Sequence, residues 1–171
     1  MRRTKYLTMI ALLGSMAIVF EVLPLDIPYP PLPRVTYDPA GIPATLATMM
    51  YNVYAGIIVQ LLGCLGILAH GNWIGALFKG CAEISTIIPL YIVVKYWNIA
   101  SLKGRAGIFT IPPVSRALVM ALMNYYTLPP LIGMPEHIAR TLVIPLMVFN
   151  ITQALINIGI SYLIYLRIKG R

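Results

Sequence analysis

Residues 42–69 read IPATLATMMYNVYAGIIVQLLGCLGILA, 28 residues in a row without a charge. How this stretch divides decides the fold. One tilted helix could cover it, as could two short helices that break near Asn52-Val53-Tyr54-Ala55-Gly56. The neighbouring apolar segments are 6–25, interrupted only by Glu21, then 73–95 with Lys79 and Glu83 inside it, then 117–132 and 141–167. The chain therefore carries five or six membrane spans, and hydropathy does not choose between them.

Charge does choose. Ten of the 13 basic residues fall in three clusters: Arg2, Arg3 and Lys5; Lys95, Lys103, Arg105 and Arg116; Arg167, Lys169 and Arg171. A single helix over 42–69 would leave the middle cluster outside, whereas two helices bring all three clusters to the cytoplasm, as the positive-inside rule requires. The expected fold is an all-α integral membrane protein: one transmembrane domain over 1–171, with spans near 6–25, 42–53, 55–69, 73–95, 117–132 and 141–167. It is a multi-pass protein of the cell membrane with both termini cytoplasmic. Each half of 42–69 should be about 20 Å long at 1.5 Å per residue. Helices that short must be tilted, shielded by neighbours or set in thinned bilayer.

Composition supports the same class. Hydrophobic residues make up 59% of the 171 and charged ones 11%, against about 45–50% and about 25% in soluble domains. A soluble enzyme is excluded on that balance. The net charge of +8 brackets apolar runs instead of forming a stripe, which argues against a nucleic-acid partner. Cys64 and Cys81 lie within apolar segments and read as small hydrophobes, with neither a disulfide nor a metal site implied. The 6–25 segment follows basic residues as a signal peptide would, but no small-x-small site follows it, so it reads as a retained span.

Between the first two spans, residues 24–43 hold seven of the 14 prolines (Pro24, Pro28, Pro30, Pro31, Pro33, Pro39 and Pro43). Pro28 to Pro33 should be stiff and extended. By the topology above this is a long, Pro-rich first extracellular loop, either a lid over the bundle or a plain spacer.

Polar side chains at membrane depth need a reason to be there. Lys79 and Glu83, spaced i,i+4, can form a self-contained pair or contact a ligand. Asn150, Gln153, Asn157 and Ser161 form a stripe on the last span, and Asn124 with Tyr125 lies inside the fifth. Interhelical hydrogen bonding, worth ~0.6 kcal/mol per contact, is the plain explanation for these. Depth favours a ligand instead: Lys79, Asn124, Asn150 and Gln153 converge in the outer-to-middle bilayer beneath the proline loop. Phe78, Tyr125, Tyr126, Met147 and Phe149 lie near them, and an apolar pocket with a few polar groups is the usual small-molecule site. His70 and His137 sit at loop edges. Ala11, Gly14 and Ser15 share one face of the first span, suited to close helix packing or to a partner subunit, and Gly71-x-x-x-Gly75 opens the fourth.

Several stretches, taken together, resemble the substrate-binding (S) components of energy-coupling factor (ECF) vitamin transporters, the riboflavin type most closely. Tyr37-Asp38-Pro39-Ala40-Gly41-Ile42-Pro43 is similar to that family's Asp-x-x-x-Ile-Pro signature. Asn124-Tyr125-Tyr126 with Pro129 and Pro130 resembles its Asn-Tyr-Phe…Pro segment. Pro145, Phe149-Asn150 and the helix to Arg167 resemble its closing helix. Two positions depart: Gln153 stands where riboflavin-type members usually carry lysine, and Asn52-Val53-Tyr54-Ala55-Gly56 replaces their Gly-Pro-x-x-Gly turn.

The resemblance implies a six-helix bundle with a vitamin site in its outer half. Asn124, Gln153, Asn150, Tyr125, Lys79, Glu83 and Asp38 become the candidate substrate contacts. Ala11, Gly14 and Ser15 would dock the transmembrane T subunit, and two ATPases would drive uptake. Riboflavin is the first ligand to consider; thiamine, hydroxymethylpyrimidine, pantothenate and folate-class compounds are the alternatives. Lys103-Gly104-Arg105-Ala106-Gly107 is a basic loop and no phosphate cradle, so energy must come from another chain. The resemblance implies no cofactor, metal or catalytic residue. An intramembrane enzyme or a ligand-free assembly protein are the remaining readings, the former lacking a Ser/His pair or clustered acids at one depth.

Overall fold

The 42–69 stretch breaks in two, at Tyr51 and Asn52. In the computed structural model, which describes residues 3–23 and 25–170, α1 spans Arg3–Val22, α2 Gly41–Met50, α3 Val53–Ala69, α4 Trp73–Tyr96, α5 Leu102–Ile132 and α6 Glu136–Lys169. Arg2, Pro24 and Arg171 lie outside the described residues. Four helices (α1, α4, α5 and α6) are long and apolar enough to cross a membrane, while α2 and α3 are shorter.

Side-chain caps set the breaks. Asn52 is extended, and its Oδ1 accepts from the Ala55 amide at 2.9 Å, starting α3. Asn72 and Ser101 do the same for α4 and α5, accepting from Gly75 at 2.8 Å and Gly104 at 3.1 Å, as N-cap side chains do. Gly71 turns the chain before α4 with φ +74, a conformation that costs glycine nothing. Gly71-x-x-x-Gly75 is thus a turn and a cap and not a helix-packing face. The break falls at the start of the expected 52–56 segment and divides the stretch unequally. At 1.5 Å per residue α2 rises only about 15 Å and α3 about 25 Å. Neighbours shield α2: eight of its ten residues are buried, and Thr45 and Thr48 hide their hydroxyls on the carbonyls of Gly41 and Ala44, both at 2.9 Å.

The fold is not purely α. Ile27–Tyr29 (β1) and Leu32–Tyr37 (β2) pair antiparallel, with Ile27 opposite Tyr37 and Pro28 opposite Thr36. The proline segment is extended, as expected, but it reverses at Pro30-Pro31 instead of running stiffly through. Val35, Thr36 and Tyr37 favour strand, and a two-stranded ribbon has only edges, where proline is tolerated. Tyr29, Tyr37 and Phe149 of α6 cluster with ring centroids 5.1–5.7 Å apart, and the Tyr37 hydroxyl bonds the Thr152 hydroxyl at 2.8 Å. The hairpin is therefore fastened onto α6.

α5 begins fifteen residues before the expected 117, and α6 five before 141. Lys103, Arg105 and the Pro112-Pro113 pair depress local hydropathy, yet Lys103 and Arg105 are exposed and both prolines are packed inside the bundle, where helix–helix contacts accommodate them. Arg116 consequently leaves the basic loop cluster and lies near the middle of α5.

α1 packs on α3 through small residues. A Cβ on Gly14 would strike the Leu62 side chain, while Gly63 faces Ala17 and Gly66 faces Ile18 and Glu21. Gly14 therefore belongs to an internal interface, whereas Ala11 and Ser15 are exposed. The apolar core gathers around α2, where Ala44, Ala47, Val59, Ile87, Ile108 and Ile158 are fully buried. It continues to the end of the bundle where Tyr6 meets Tyr51 and the Tyr162 hydroxyl donates to the Ile99 carbonyl.

Candidate functional site

A cavity of about 450 Å³ lies at the opposite end, beneath the hairpin. The short α2 makes room for it. α2 starts at the level of Glu83, ten residues or about 15 Å into α4. A Cβ on Gly41 would press on Asn157 and lie 2.8 Å from both Glu83 carboxylate oxygens. Above Gly41 the space is bounded by the hairpin and by α1, α3, α4, α5 and α6, and α2 itself contributes no lining residue. The volume lies within the range of small-molecule sites.

Two linked polar clusters line or back this cavity. In the first, Lys79 Nζ reaches Asp38 at 2.5 Å and Glu21 at 3.2 Å, tying α4 to the hairpin exit and to α1. In the second, Arg116 donates through Nη1 to Glu83 at 2.6 Å and through Nε to Asn150 Oδ1 at 3.0 Å. Glu83 also accepts from Asn157 Nδ2 at 3.2 Å, and Gln153 Nε2 joins the clusters by donating to Asn157 Oδ1 at 3.2 Å and to the Asp38 carbonyl at 2.7 Å. Both Arg116 and Glu83 are buried, at 2% and 0% exposure. Buried charges persist only when paired and hydrogen-bonded in this way. Among the described residues no group of three His, Cys, Asp or Glu side chains could hold a metal ion.

Residues 5–165 match the sequence profile of the ECF transporter, substrate-specific component. The chain belongs to that family. It is a membrane-embedded transporter component and not an enzyme. This S component is 28% identical over 179 residues to riboflavin transporter RibU of Staphylococcus aureus (strain TCH60), an alignment covering 99% of this chain and 93% of that one. It is 24% identical over 181 residues to riboflavin transporter FmnP of Bacillus subtilis (strain 168), covering 98% and 93%. The solved S component of a bacterial ECF transporter superposes with a TM-score of 0.84 at 27% identity, covering 99% of this chain and 98% of that one.

Of the candidate contacts in this S component, Asn124, Gln153, Asn150, Lys79 and Asp38 border the cavity together, as do Phe78 and Phe149. Tyr125 does not. It stacks edge-on against Tyr126, which is 69% exposed, and Met147 is likewise absent from the lining. Glu83 stands behind the wall. Lys79 and Glu83 do not pair with each other despite their i,i+4 spacing, because each has a better partner on another element, Lys79 in Asp38 and Glu21 and Glu83 in Arg116. His70 closes α3 at the cavity rim.

The sequence reading missed Arg116, Glu21 and the hairpin residues Asp26 and Arg34, all of which line the cavity. A signal for Arg116 existed: Glu83 at mid-membrane requires a cation, and Arg116 is the basic residue that the length of α5 carries to that depth.

Proposed function

We propose that this S component captures riboflavin from outside the cell and delivers it to partner subunits, a transmembrane T subunit and two ATPases, for ATP-driven uptake. The observation that carries the reading is the cavity under the hairpin, in which amide side chains of α5 and α6 stand beside Lys79 and Arg116, with Phe78, Met120, Leu146 and Phe149 among the apolar parts of the wall. An enclosure of about 450 Å³ suits one flat heterocycle with a polar edge. The names of RibU and FmnP point to the same ligand. Exposed Ala11 and Ser15 on α1 offer the T subunit a close-packing strip. Lys5, Lys95, Lys103, Arg105, Arg167 and Lys169 gather toward the end away from the cavity, which supports cytoplasmic termini and an outward-facing site.

Titration of purified protein with riboflavin, followed by quenching of flavin fluorescence, tests the proposal. Binding without any partner is the expected result. Asn124→Ala and Gln153→Ala should each weaken it about 5- to 150-fold, the effect of one lost hydrogen bond to a buried group. Unchanged affinity in both folded variants would reduce these amides to structural groups, Asn124 bonded within α5 and Gln153 to Asp38 and Asn157. Riboflavin uptake into vesicles by this chain alone would refute the dependence on partners.

A further inference from the structure

We propose that Gln153 reads a hydrogen-bond donor: the ligand edge seated against α6 carries an N–H, and Gln153 Oε1 accepts it. This deepens the flavin reading and rests on its assignment of the cavity. The Glu83 carboxylate accepts from Asn157 Nδ2 at 3.2 Å, which turns Asn157 Oδ1 toward Gln153. Gln153 Nε2 then donates to that oxygen at 3.2 Å and to the Asp38 backbone carbonyl at 2.7 Å. A carbonyl can only accept, so a flipped Gln153 would set its oxygen against two acceptors. Both N–H bonds are spent, and the orientation is fixed.

What remains is Gln153 Oε1, a buried acceptor with no hydrogen-bond partner among the described residues, on a side chain 1% exposed that borders the cavity. Such an orphan is rare in folded proteins and calls for a ligand or similar group to satisfy it. The neighbouring amides sharpen the assignment. Asn150 keeps one N–H, its Oδ1 being held by Arg116 and its other N–H by the Leu146 carbonyl at 2.8 Å. Asn124 donates one N–H of its Nδ2 to the Met120 carbonyl at 2.7 Å and retains the second N–H and its oxygen. Arg116, with five N–H groups and two bonds made, keeps donors for a ligand carbonyl. The wall thus matches an N–H flanked by carbonyls, as in an imide or lactam ring.

The test compares riboflavin with 3-methylriboflavin, in which the ring N–H is replaced, and in parallel an aminopyrimidine with its dimethylamino form. Wild-type protein should bind the N–H member about 5- to 150-fold more tightly. Two variants separate hydrogen bonding from steric exclusion. Gln153→Leu removes the whole amide, while Gln153→Lys keeps a donor for the Asp38 carbonyl and Asn157, removes the acceptor and adds a positive charge. In both, the preference should fall below about threefold through loss on the N–H member. The proposal is overturned if wild type binds both flavins equally or if the preference survives in the variants. Riboflavin bound without preference removes this inference and leaves the flavin reading standing. A preference within the aminopyrimidine pair, with neither flavin bound, does the reverse, and binding of neither pair removes both.

Discussion

Replacing Arg116 with methionine keeps a long flexible side chain in α5 but strips Glu83 of its cation. The carboxylate, at 0% exposure, would retain only the Asn157 amide at 3.2 Å, and Asn150 Oδ1 would lose its 3.0 Å donor. Breaking a buried ion pair from one side costs about 3–5 kcal/mol, enough to consume much of the stability of a small domain. The companion change Glu83→Leu alone should be similarly harmful, since it strands the guanidinium. Combining the two removes both charges, and the double variant should recover to within about 1–2 kcal/mol of wild type, giving a coupling of at least about 4 kcal/mol in the double-mutant cycle. Equilibrium unfolding by SDS in mixed micelles, followed by the fluorescence of Trp73 and Trp97, reads all three values. A cost below about 1 kcal/mol for Arg116→Met, or additive single effects, would refute the assignment of this pair as the tie between α4 and α5.

Gly41→Ala should lose about 1–3 kcal/mol by overpacking against Asn157 and Glu83, while Gly159→Ala, whose Cβ would meet only Phe109 at 3.9 Å, should be neutral or stabilising in the same unfolding assay. Tyr37→Phe removes the 2.8 Å bond to Thr152 and should speed amide exchange in the hairpin about 2- to 10-fold, with β1 and β2 read by hydrogen-exchange mass spectrometry. In a variant with Cys64 and Cys81 replaced, Lys103→Cys should react with a membrane-impermeant thiol reagent only from the cytoplasmic side and Met134→Cys only from outside; the reverse pattern would invert the topology. Gly104 is unsuitable for labelling because a Cβ there would press on the Asn98 carbonyl.

The number of helices was legible because the punctuating residues act locally: Asn52 needs only the Ala55 amide three residues on, and the basic clusters report on sidedness without any tertiary contact. The depth argument likewise gathered Lys79, Asn124, Asn150 and Gln153, since rise per residue converts sequence position into height. Partner choice was not legible. Lys79 and Glu83 share a helix face, yet their partners lie on other elements, Glu21, Asp38 and Arg116, and spacing along one helix is silent about which charge from another element arrives at the same level. Arg116 was hidden for a related reason: a hydropathy window counts a paired buried arginine as though it were exposed, and so began α5 too late. The hairpin escaped because proline restricts φ similarly in a strand and in a polyproline stretch, leaving the reversal at Pro30-Pro31 to be decided by contacts with α6.

The brevity of α2 bears on how the chain enters the membrane in the first place. A helix rising about 15 Å reaches only halfway across a hydrocarbon core of about 30 Å, so an insertion machine reading the emerging polypeptide has no separate span to recognise there. Residues 41–69 must go in as one re-entrant hairpin, with α3 carrying α2. Once inside, the Asp38 carbonyl takes its donor from Gln153 and the Ile42 carbonyl a second donor from Ser161, both on the last helix to be synthesised. Completion of this corner of the bundle therefore waits for α6, the last element of the chain to form.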